Sequence, residues 1–234
     1  MATPKRLAKT SLAEQAYNQI RILILDQVIS PGQAIGIDTL AATLGVSQTP
    51  VREALSKLEG DHLVERLPNG RYQAAPPLLL ADYADLYSVR LLLEPRAAFL
   101  TAQRRTNQTI ATLEDSIERI STAGRGMRSQ VFIAFVEADA LFHQTIAREC
   151  GNKFLAAGLS QLQANLRVGP FYRARGVIDA DAVIREHTNI LEAIKAGDSE
   201  AAETHMRRHV ERARDVILEW LKTQSNEKAI SSEE

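Results

Sequence analysis

The stretch Gly45-Val46-Ser47-Gln48-Thr49-Pro50-Val51-Arg52-Glu53-Ala54-Leu55 decides the fold of the N-terminal part of the chain. Ser47 is a preferred N-cap residue, and Pro50 falls in the first turn of the following helix, where a missing N–H group costs little. The apolar residues recur at helical spacing: Val51, Ala54, Leu55 and Leu58. The sequence therefore predicts a helix capped by Ser47 whose N-terminal face carries hydroxyl, amide and guanidinium groups.

Two further helices are predicted before this stretch and a β-hairpin after it. The first helix opens on Ser11 and Glu14, spaced as a capping box, and is broken at Pro31-Gly32. The second begins near Asp38, which can cap it, and ends at Gly45. Strands over residues 63–67 and 71–74 are joined through Pro68-Asn69-Gly70, and Asn-Gly is a strong hairpin signal. Three short helices and a hairpin predict a winged helix-turn-helix.

The exposed groups of this predicted domain have the chemistry of a DNA-reading surface. The hydroxyls of Ser47 and Thr49, with the first N–H groups of the helix, suit phosphate oxygens. Arg52 can donate two hydrogen bonds to guanine, and Gln48 can pair with adenine. The hairpin tip, Asn69-Gly70-Arg71, is slim enough to enter a minor groove. We therefore expect double-stranded DNA as a partner.

The chain beyond Pro76-Pro77, which can continue neither a strand nor a helix, has a different pattern. We place the winged helix-turn-helix at residues 1–77, an all-helical domain at 78–225 and a disordered polar tail at 226–234. Amphipathic helices are predicted at 82–105 (with a kink or break at Pro95), 108–122, 130–149, 153–168, 180–196 and 199–223. Short polar or glycine-containing breaks separate them, as in an antiparallel bundle of six or seven helices. The fold class is mainly α.

Composition excludes several classes of protein. The 234 residues are 45% hydrophobic and 24% charged, a globular balance, and no apolar run approaches the length needed to span a bilayer. The N-terminus is polar and basic, unlike a secretory signal. The single cysteine, Cys150, cannot form an internal disulfide and fits a reducing cytoplasm. Residues 1–75 carry eight Lys/Arg against seven Asp/Glu, so DNA binding is argued from local placement and not from bulk charge.

A second group of residues has the pattern of a metal site. Asp139 and His143 are four residues apart and share one helix face, while His187 and His209 lie in two other predicted helices. Carboxylate and imidazole ligands from separate helices build metal sites inside bundles. They suit zinc, nickel, iron or manganese, with positions left for water or a ligand. Taken singly, each histidine is more often an ordinary core or surface residue than a metal ligand, so the residues alone leave both interpretations open.

Both halves of the chain resemble one bacterial family. Pro31-Gly32, Leu40-Ala41, residues 44–47 and 49–55 and the Gly70 wing resemble the DNA-binding domain of a GntR-type transcriptional regulator. Residues 139–143, Gly151-Asn152, Glu186-His187 and the segment from Gly197-Asp198 to His209 resemble the FCD ligand-binding domain of the FadR-like subfamily. Two positions depart from the pattern. Gln48 replaces the usual arginine, and His62 replaces a glycine where the backbone is left-handed, which histidine can adopt.

The resemblance implies a ligand-responsive repressor or activator, not an enzyme, that binds a palindromic operator as a homodimer. It places the metal ligands at Asp139, His143, His187 and His209, with zinc the expected ion, and leaves His205 outside the set. Arg90 matches a family arginine facing the same cavity, where it would bind the carboxylate of a small organic acid. The alternative for Arg90 is an ordinary surface pair with Glu94 at i,i+4.

Two other functions remain open at this point. One is a metal-free regulator that senses an acyl-CoA or another apolar effector. The other is a metalloenzyme that activates a metal-bound water. No Asp or Glu beside the four metal residues is identifiable from the sequence as a general base, and an enzyme would leave the winged helix-turn-helix unexplained.

Overall fold

The computed structural model describes residues 11–125, 129–162, 177 and 179–231. The chain divides into two compact units, Met1–Pro77 and Leu78–Glu234. Across the described residues the structure contains nine α-helices and one three-stranded antiparallel sheet, so the mainly α fold is confirmed. The second half of the helix predicted at 153–168 falls outside the described residues.

The first unit is a winged helix-turn-helix, as predicted. Its elements are α1 (Leu12–Leu25), β1 (Ala34–Ile35), α2 (Ile37–Leu44), α3 (Gln48–Gly60), β2 (Val64–Arg66) and β3 (Tyr72–Ala74). The sheet order is β1-β3-β2, with Ile35 opposite Tyr72 and Arg66 opposite Tyr72 on the other side. Strand β1 is absent from the sequence prediction because two residues are too short to show an alternating pattern.

The observed helix ends of this unit agree with the predicted ones at two positions and differ at two others. Ser11 caps α1 by accepting a hydrogen bond from the backbone N of Glu14 at 3.1 Å, and Gly45 ends α2 in the left-handed conformation with φ 66°. Helix α1, however, ends at Leu25, well before Pro31. The N-cap of α2 is Gly36 and not Asp38, which lies in the first turn.

The core of this unit is built on the apolar face of α3. Its four predicted core residues are all buried: Val51, Ala54, Leu55 and Leu58. They pack in one cluster with Ala16, Tyr17 and Ile20 of α1. Full burial of a leucine-sized side chain stabilises the fold by about 1.5–3 kcal/mol. The opposite face of α3 is thereby held toward solvent.

The second unit contains six helices in its described part. They are α4 (Leu80–Arg104), α5 (Asn107–Thr122), α6 (Ser129–Glu149), α7 (Lys153–Leu162), α8 (Ala180–Ala196) and α9 (Ser199–Ser231). Their shared core includes Tyr87 on α4, Phe142 and Ile146 on α6, Ile190 on α8 and Met206 on α9. None of the helices within the described ranges is long and apolar enough to cross a membrane.

The structure corrects two expectations about this unit. Helix α4 continues through Pro95, so of the expected kink or break the break is wrong, and Pro95 lies among the buried residues Glu94, Ala97 and Ala98. Packing on both sides offsets the hydrogen bond that proline removes, a loss of roughly 3 kcal/mol in an isolated helix. Helix α9 also continues to Ser231, so most of the predicted disordered tail is helical. Residues 222–231 contain no glycine or proline to end the helix.

Candidate metal centre and DNA-binding surface

The four predicted metal ligands come together inside the second unit. Asp139 and His143 are on α6, His187 is on α8 and His209 is on α9. One potential ligand atom from each lies within 4.8 Å of all the others. The Nε2 atoms of His143 and His209 are 3.2 Å apart, and His187 Nε2 is 3.5 Å from Asp139 Oδ1. We call these four residues the His-Asp cluster; His205 is not part of it.

Local sequence explains why each helix presents its ligand inward. On α6, the i,i+4 spacing places Asp139 and His143 on one face beside the buried Phe142. On α8, His187 occupies the apolar stripe that continues through Ile190, Leu191 and Ile194. On α9, His209 follows the buried Met206 by three residues. The periodicity that builds the core therefore buries His187 and His209 and leaves His143 partly buried.

Two glutamates lie directly behind the cluster. Glu94 Oε2 is 2.7 Å from His143 Nδ1, and Glu186 Oε2 is 2.7 Å from His209 Nδ1. For His209 the contact is a hydrogen bond, and a carboxylate at Nδ1 fixes the ring orientation and directs Nε2 toward the centre, as in metal-bound histidines. For His143 the contact is a close ion pair without hydrogen-bond geometry. The sequence analysis missed both residues. The available signals were that Glu186 directly precedes His187 and that Glu94 is four residues after Arg90.

The Nε2 atoms of His143 and His209 face each other, and their interaction depends on the tautomer of each ring. If both Nδ1 atoms donate to glutamates, both Nε2 lone pairs point at each other across 3.2 Å. A proton or a metal ion relieves that repulsion. Burial lowers the pKa of His143, but the negative charges of Glu94 and Asp139 raise it by more than burial lowers it. The net shift of this pKa is upward. These charges therefore favour the protonated form of His143 over that of the other two rings.

His187 is the ring with the fewest partners. It is fully buried and stacks face to face on Phe142, with ring centroids 3.9 Å apart and planes 5° from parallel. Neither of its nitrogens makes a hydrogen bond with the described residues. Burial, assisted by the charges of His209 and His143, holds its pKa well below the ordinary value. The ring is therefore neutral, which is the state that binds a metal.

The donor set fits a divalent transition metal. Three imidazole nitrogens and one carboxylate oxygen are ligands for zinc, nickel, iron and manganese. An ion that takes more than four ligands would keep open positions for water or an effector. Such an ion would satisfy one unpaired nitrogen of His187 together with the facing nitrogens of His143 and His209.

Arg90 forms the ion pair with Glu94 that the sequence allowed, and that pair lies beside the His-Asp cluster. It pairs with Glu94 at i,i+4, Nε to Oε1 at 2.5 Å, but the pair is buried and not on the surface. The guanidinium also lies 4.8 Å from the ring centre of Tyr87. Burial raises the pKa of Glu94, yet the charges of Arg90 and His143 hold it far below its usual range. Glu94 thus bridges Arg90 to a ligand of the His-Asp cluster.

Glu186 is anchored in a similar way on the other side of the cluster. Arg212 Nε donates a hydrogen bond to Glu186 Oε1, and Arg212 Nη1 is 3.6 Å from Asp179 Oδ2. Burial raises the pKa of Glu186, but hydrogen bonds from His209 and Arg212 give a net lowering. Both glutamates behind the cluster are therefore ionised and held by an arginine.

The predicted DNA-contacting residues are all exposed in the first unit. Ser47, Gln48, Thr49 and Arg52 lie at the N-terminal end of α3, and Ser47 occupies the N-cap without a side-chain hydrogen bond to the helix. Its hydroxyl and the first-turn N–H groups are thus available to phosphate oxygens. Asn69, Gly70 and Arg71 form the tip of the β2–β3 hairpin, where Gly70 has φ 78°. His62 adopts the expected left-handed backbone, with φ 57°.

Asp38 contacts this surface, which the sequence analysis did not foresee. Gln48 Nε2 donates a hydrogen bond to Asp38 Oδ1, and Arg52 Nη2 donates to Gln48 Oε1 at 3.3 Å. The first turns of α2 and α3 are joined through these side chains.

Comparison with known proteins covers both units. Residues 12–72 match the bacterial regulatory proteins of the gntR family, and residues 85–212 match the FCD domain. The chain is 30% identical over 210 residues to the probable D-xylose utilization operon transcriptional repressor of Paenarthrobacter nicotinovorans, covering 89% of this chain and 90% of that protein. It is 27% identical over 219 residues to the regulator LutR of Bacillus subtilis, covering 83% of this chain and 96% of that protein.

A solved structure has the same architecture. Escherichia coli McbR/YncC matches with a TM-score of 0.66 and 25% identity, covering 91% of this chain and 99% of that one. The match includes both the winged helix-turn-helix and the helical unit.

Proposed function

Because this chain belongs to the GntR family of DNA-binding transcriptional regulators and carries an FCD domain, we propose that a small organic acid controls it through a divalent metal held by the His-Asp cluster. Zinc is the expected ion, and nickel, iron and manganese share its ligand preferences here. The family consists of regulators and not enzymes, so a metalloenzyme is not proposed.

One observation carries the proposal. Four ligand atoms from three helices meet within 4.8 Å, and two of the three histidines have a carboxylate at Nδ1. A metal-free regulator would leave both buried nitrogens of His187 without a partner, whereas a metal ion would satisfy one of them, and an unsatisfied buried polar atom costs about 1–3 kcal/mol. Within the described parts of the helical unit, nothing comparable supports an apolar effector such as an acyl-CoA.

The class of effector follows from charge. With neutral histidines, Asp139 would leave one net positive charge on a divalent ion, because the Arg90–Glu94 pair beside it is internally neutral. The ion would supply a positive centre that attracts a carboxylate. Arg90, which is joined to His143 through Glu94, could share this anion, and it would then exchange part of its contact with Glu94 for the effector.

For the DNA-binding unit, we propose that α3 enters the major groove and the hairpin tip contacts the adjacent minor groove. Two copies would read a palindromic operator as a homodimer. Repression is the proposed direction of control, since the relative from Paenarthrobacter nicotinovorans is named a repressor. Effector binding would shift the population between DNA-competent and DNA-incompetent states.

The proposal is tested by elemental analysis of protein purified without a metal-binding tag, followed by a screen of small carboxylates for release of operator DNA. We expect about one equivalent of transition metal per chain, given the four ligands, and release by a carboxylate only when metal is present. Protein without metal whose DNA binding responds to apolar thioesters would contradict the proposal.

A further inference from the structure

A chain of polar contacts joins the start of α2 to the DNA-reading face of α3. Asp38 lies in the first turn of α2, Gln48 is the first residue of α3, and Arg52 lies one turn further along α3. All three side chains are exposed. Gln48 Nε2 donates to Asp38 Oδ1, and Arg52 Nη2 donates to Gln48 Oε1.

The chemistry of these groups permits only one orientation of the Gln48 amide. The carboxylate of Asp38 only accepts hydrogen bonds, and the guanidinium of Arg52 only donates them. The amide NH2 group must therefore face Asp38 and the amide oxygen must face Arg52. If the amide were flipped, its oxygen would face the carboxylate and its NH2 group the guanidinium, and both hydrogen bonds would be lost.

We propose that Asp38 is a specificity-determining positioning residue, which acts through Gln48 to hold Arg52 ready for a guanine-containing base pair. This inference rests on the proposed role of α3 as the recognition helix. A free glutamine at position 48 would compete for adenine, whereas a glutamine held by Asp38 serves as a support for Arg52. The guanidinium then loses less conformational freedom when it meets the base.

The charge of Asp38 has two further effects that are independent of base discrimination. A carboxylate on a DNA-facing surface repels phosphates and lowers affinity for every DNA sequence. Its first-turn position also stabilises α2 through the helix dipole. Neither effect requires the contact with Gln48, so variants that separate charge from hydrogen bonding distinguish the three roles.

The test begins with operator selection from random-sequence DNA using the full-length wild-type protein. Fluorescence anisotropy then measures the affinity of each variant for the selected site, for every single-base change in it and for unrelated DNA. The variants are Asp38→Ala, Asp38→Asn, Gln48→Ala, Asp38→Ala with Gln48→Ala, and Arg52→Ala. Thermal melting of each variant checks that the exposed substitution leaves the fold intact.

The proposal predicts a change at one base pair. Asp38→Ala should lose about tenfold discrimination or more at the base pair read by Arg52, with affinity for unrelated DNA unchanged or higher. Asp38→Asn removes the charge but keeps an oxygen that accepts from Gln48, so it should retain most of that discrimination. In the Gln48→Ala background, the further change Asp38→Ala should have no additional effect on base preference.

Two outcomes would overturn the inference. Equal gains in affinity for all DNA by Asp38→Ala and Asp38→Asn would assign Asp38 to phosphate repulsion alone. A lower melting temperature with wild-type base preference would assign it to stabilising α2. Arg52→Ala separates this inference from the proposed function: if it loses specificity while Asp38→Ala does not, only the role of Asp38 fails, and if it keeps specificity, the placement of the recognition helix fails as well.

Discussion

Arg52 is the residue with the most direct proposed effect on DNA recognition. It is exposed at the N-terminal end of α3, and its side chain contributes nothing to the core beneath that helix. Arg52→Ala should therefore reduce discrimination between operator and unrelated DNA by about 1–3 kcal/mol while leaving thermal stability unchanged. Arg208→Ala, an exposed arginine on α9, is the matched control. Unchanged specificity in a gel-shift titration would contradict the placement of the recognition helix.

At the same scale, Glu94 and Glu186 are expected to tune the metal ligands that they contact. Each has an oxygen 2.7 Å from a histidine Nδ1. Glu94→Gln or Glu186→Gln should weaken metal affinity by about 10- to 100-fold, because a neutral amide supports a metal-bound imidazole less well. Competition with a chromogenic chelator measures that affinity. Glu114→Gln, whose native carboxylate pairs with Lys195 on the surface, should bind metal like the wild type.

Helix α3 has two faces with separate roles, one in the core and one toward solvent. Leu55 is fully buried in the core of the first unit and has no exposed surface with which to touch DNA. Leu55→Ala should lower the free energy of unfolding of this unit by about 2–5 kcal/mol through the cavity it leaves, and should weaken DNA binding as a consequence. Ser56→Ala, on the exposed face, is the control.

Hydrogen exchange measured at increasing denaturant concentration should report the unfolding of each unit separately. Protection of the core of α8 and α9 should persist under conditions where Leu55→Ala has unfolded α3, because each unit has its own hydrophobic cluster. Simultaneous loss of protection in both units would show that they unfold as one.

For the whole molecule, the proposed palindromic operator requires two reading surfaces held together. Light scattering should give about twice the chain mass of 25.8 kDa. A fragment of residues 1–77 should be a monomer that binds the operator weakly, since it lacks the helical unit proposed to dimerise. A monomeric full-length protein that binds the operator tightly would contradict this prediction.

The proposed metal would act at the same scale, because the residues of the His-Asp cluster come from α6, α8 and α9. Chelation, or His143→Ala with His187→Ala, should lower the melting temperature and abolish the response to a carboxylate effector. DNA binding should largely survive, since no cluster residue belongs to the first unit. Calorimetry and anisotropy measure the two effects. An unaltered melting temperature after complete chelation would identify these histidines as ordinary core residues.

Local sequence determined the elements and most of their functional positions. Helical spacing placed Asp139 and His143 on one face. Ser11 begins α1 and the left-handed Gly45 ends α2, as expected. The exposed face of α3 followed from its buried face. These features depend on residues within a few positions of each other, so periodicity and capping preferences are sufficient to predict them.

Tertiary structure alone decided what lies behind and beside those positions. Glu94 reaches His143 from another helix, and Asp38 meets Gln48 across the turn between α2 and α3. The continuity of α4 through Pro95 likewise depends on packing, and strand β1 exists because β3 offers it an edge. None of these contacts has a local signature, because the two partners are brought together only by how separate helices and strands pack.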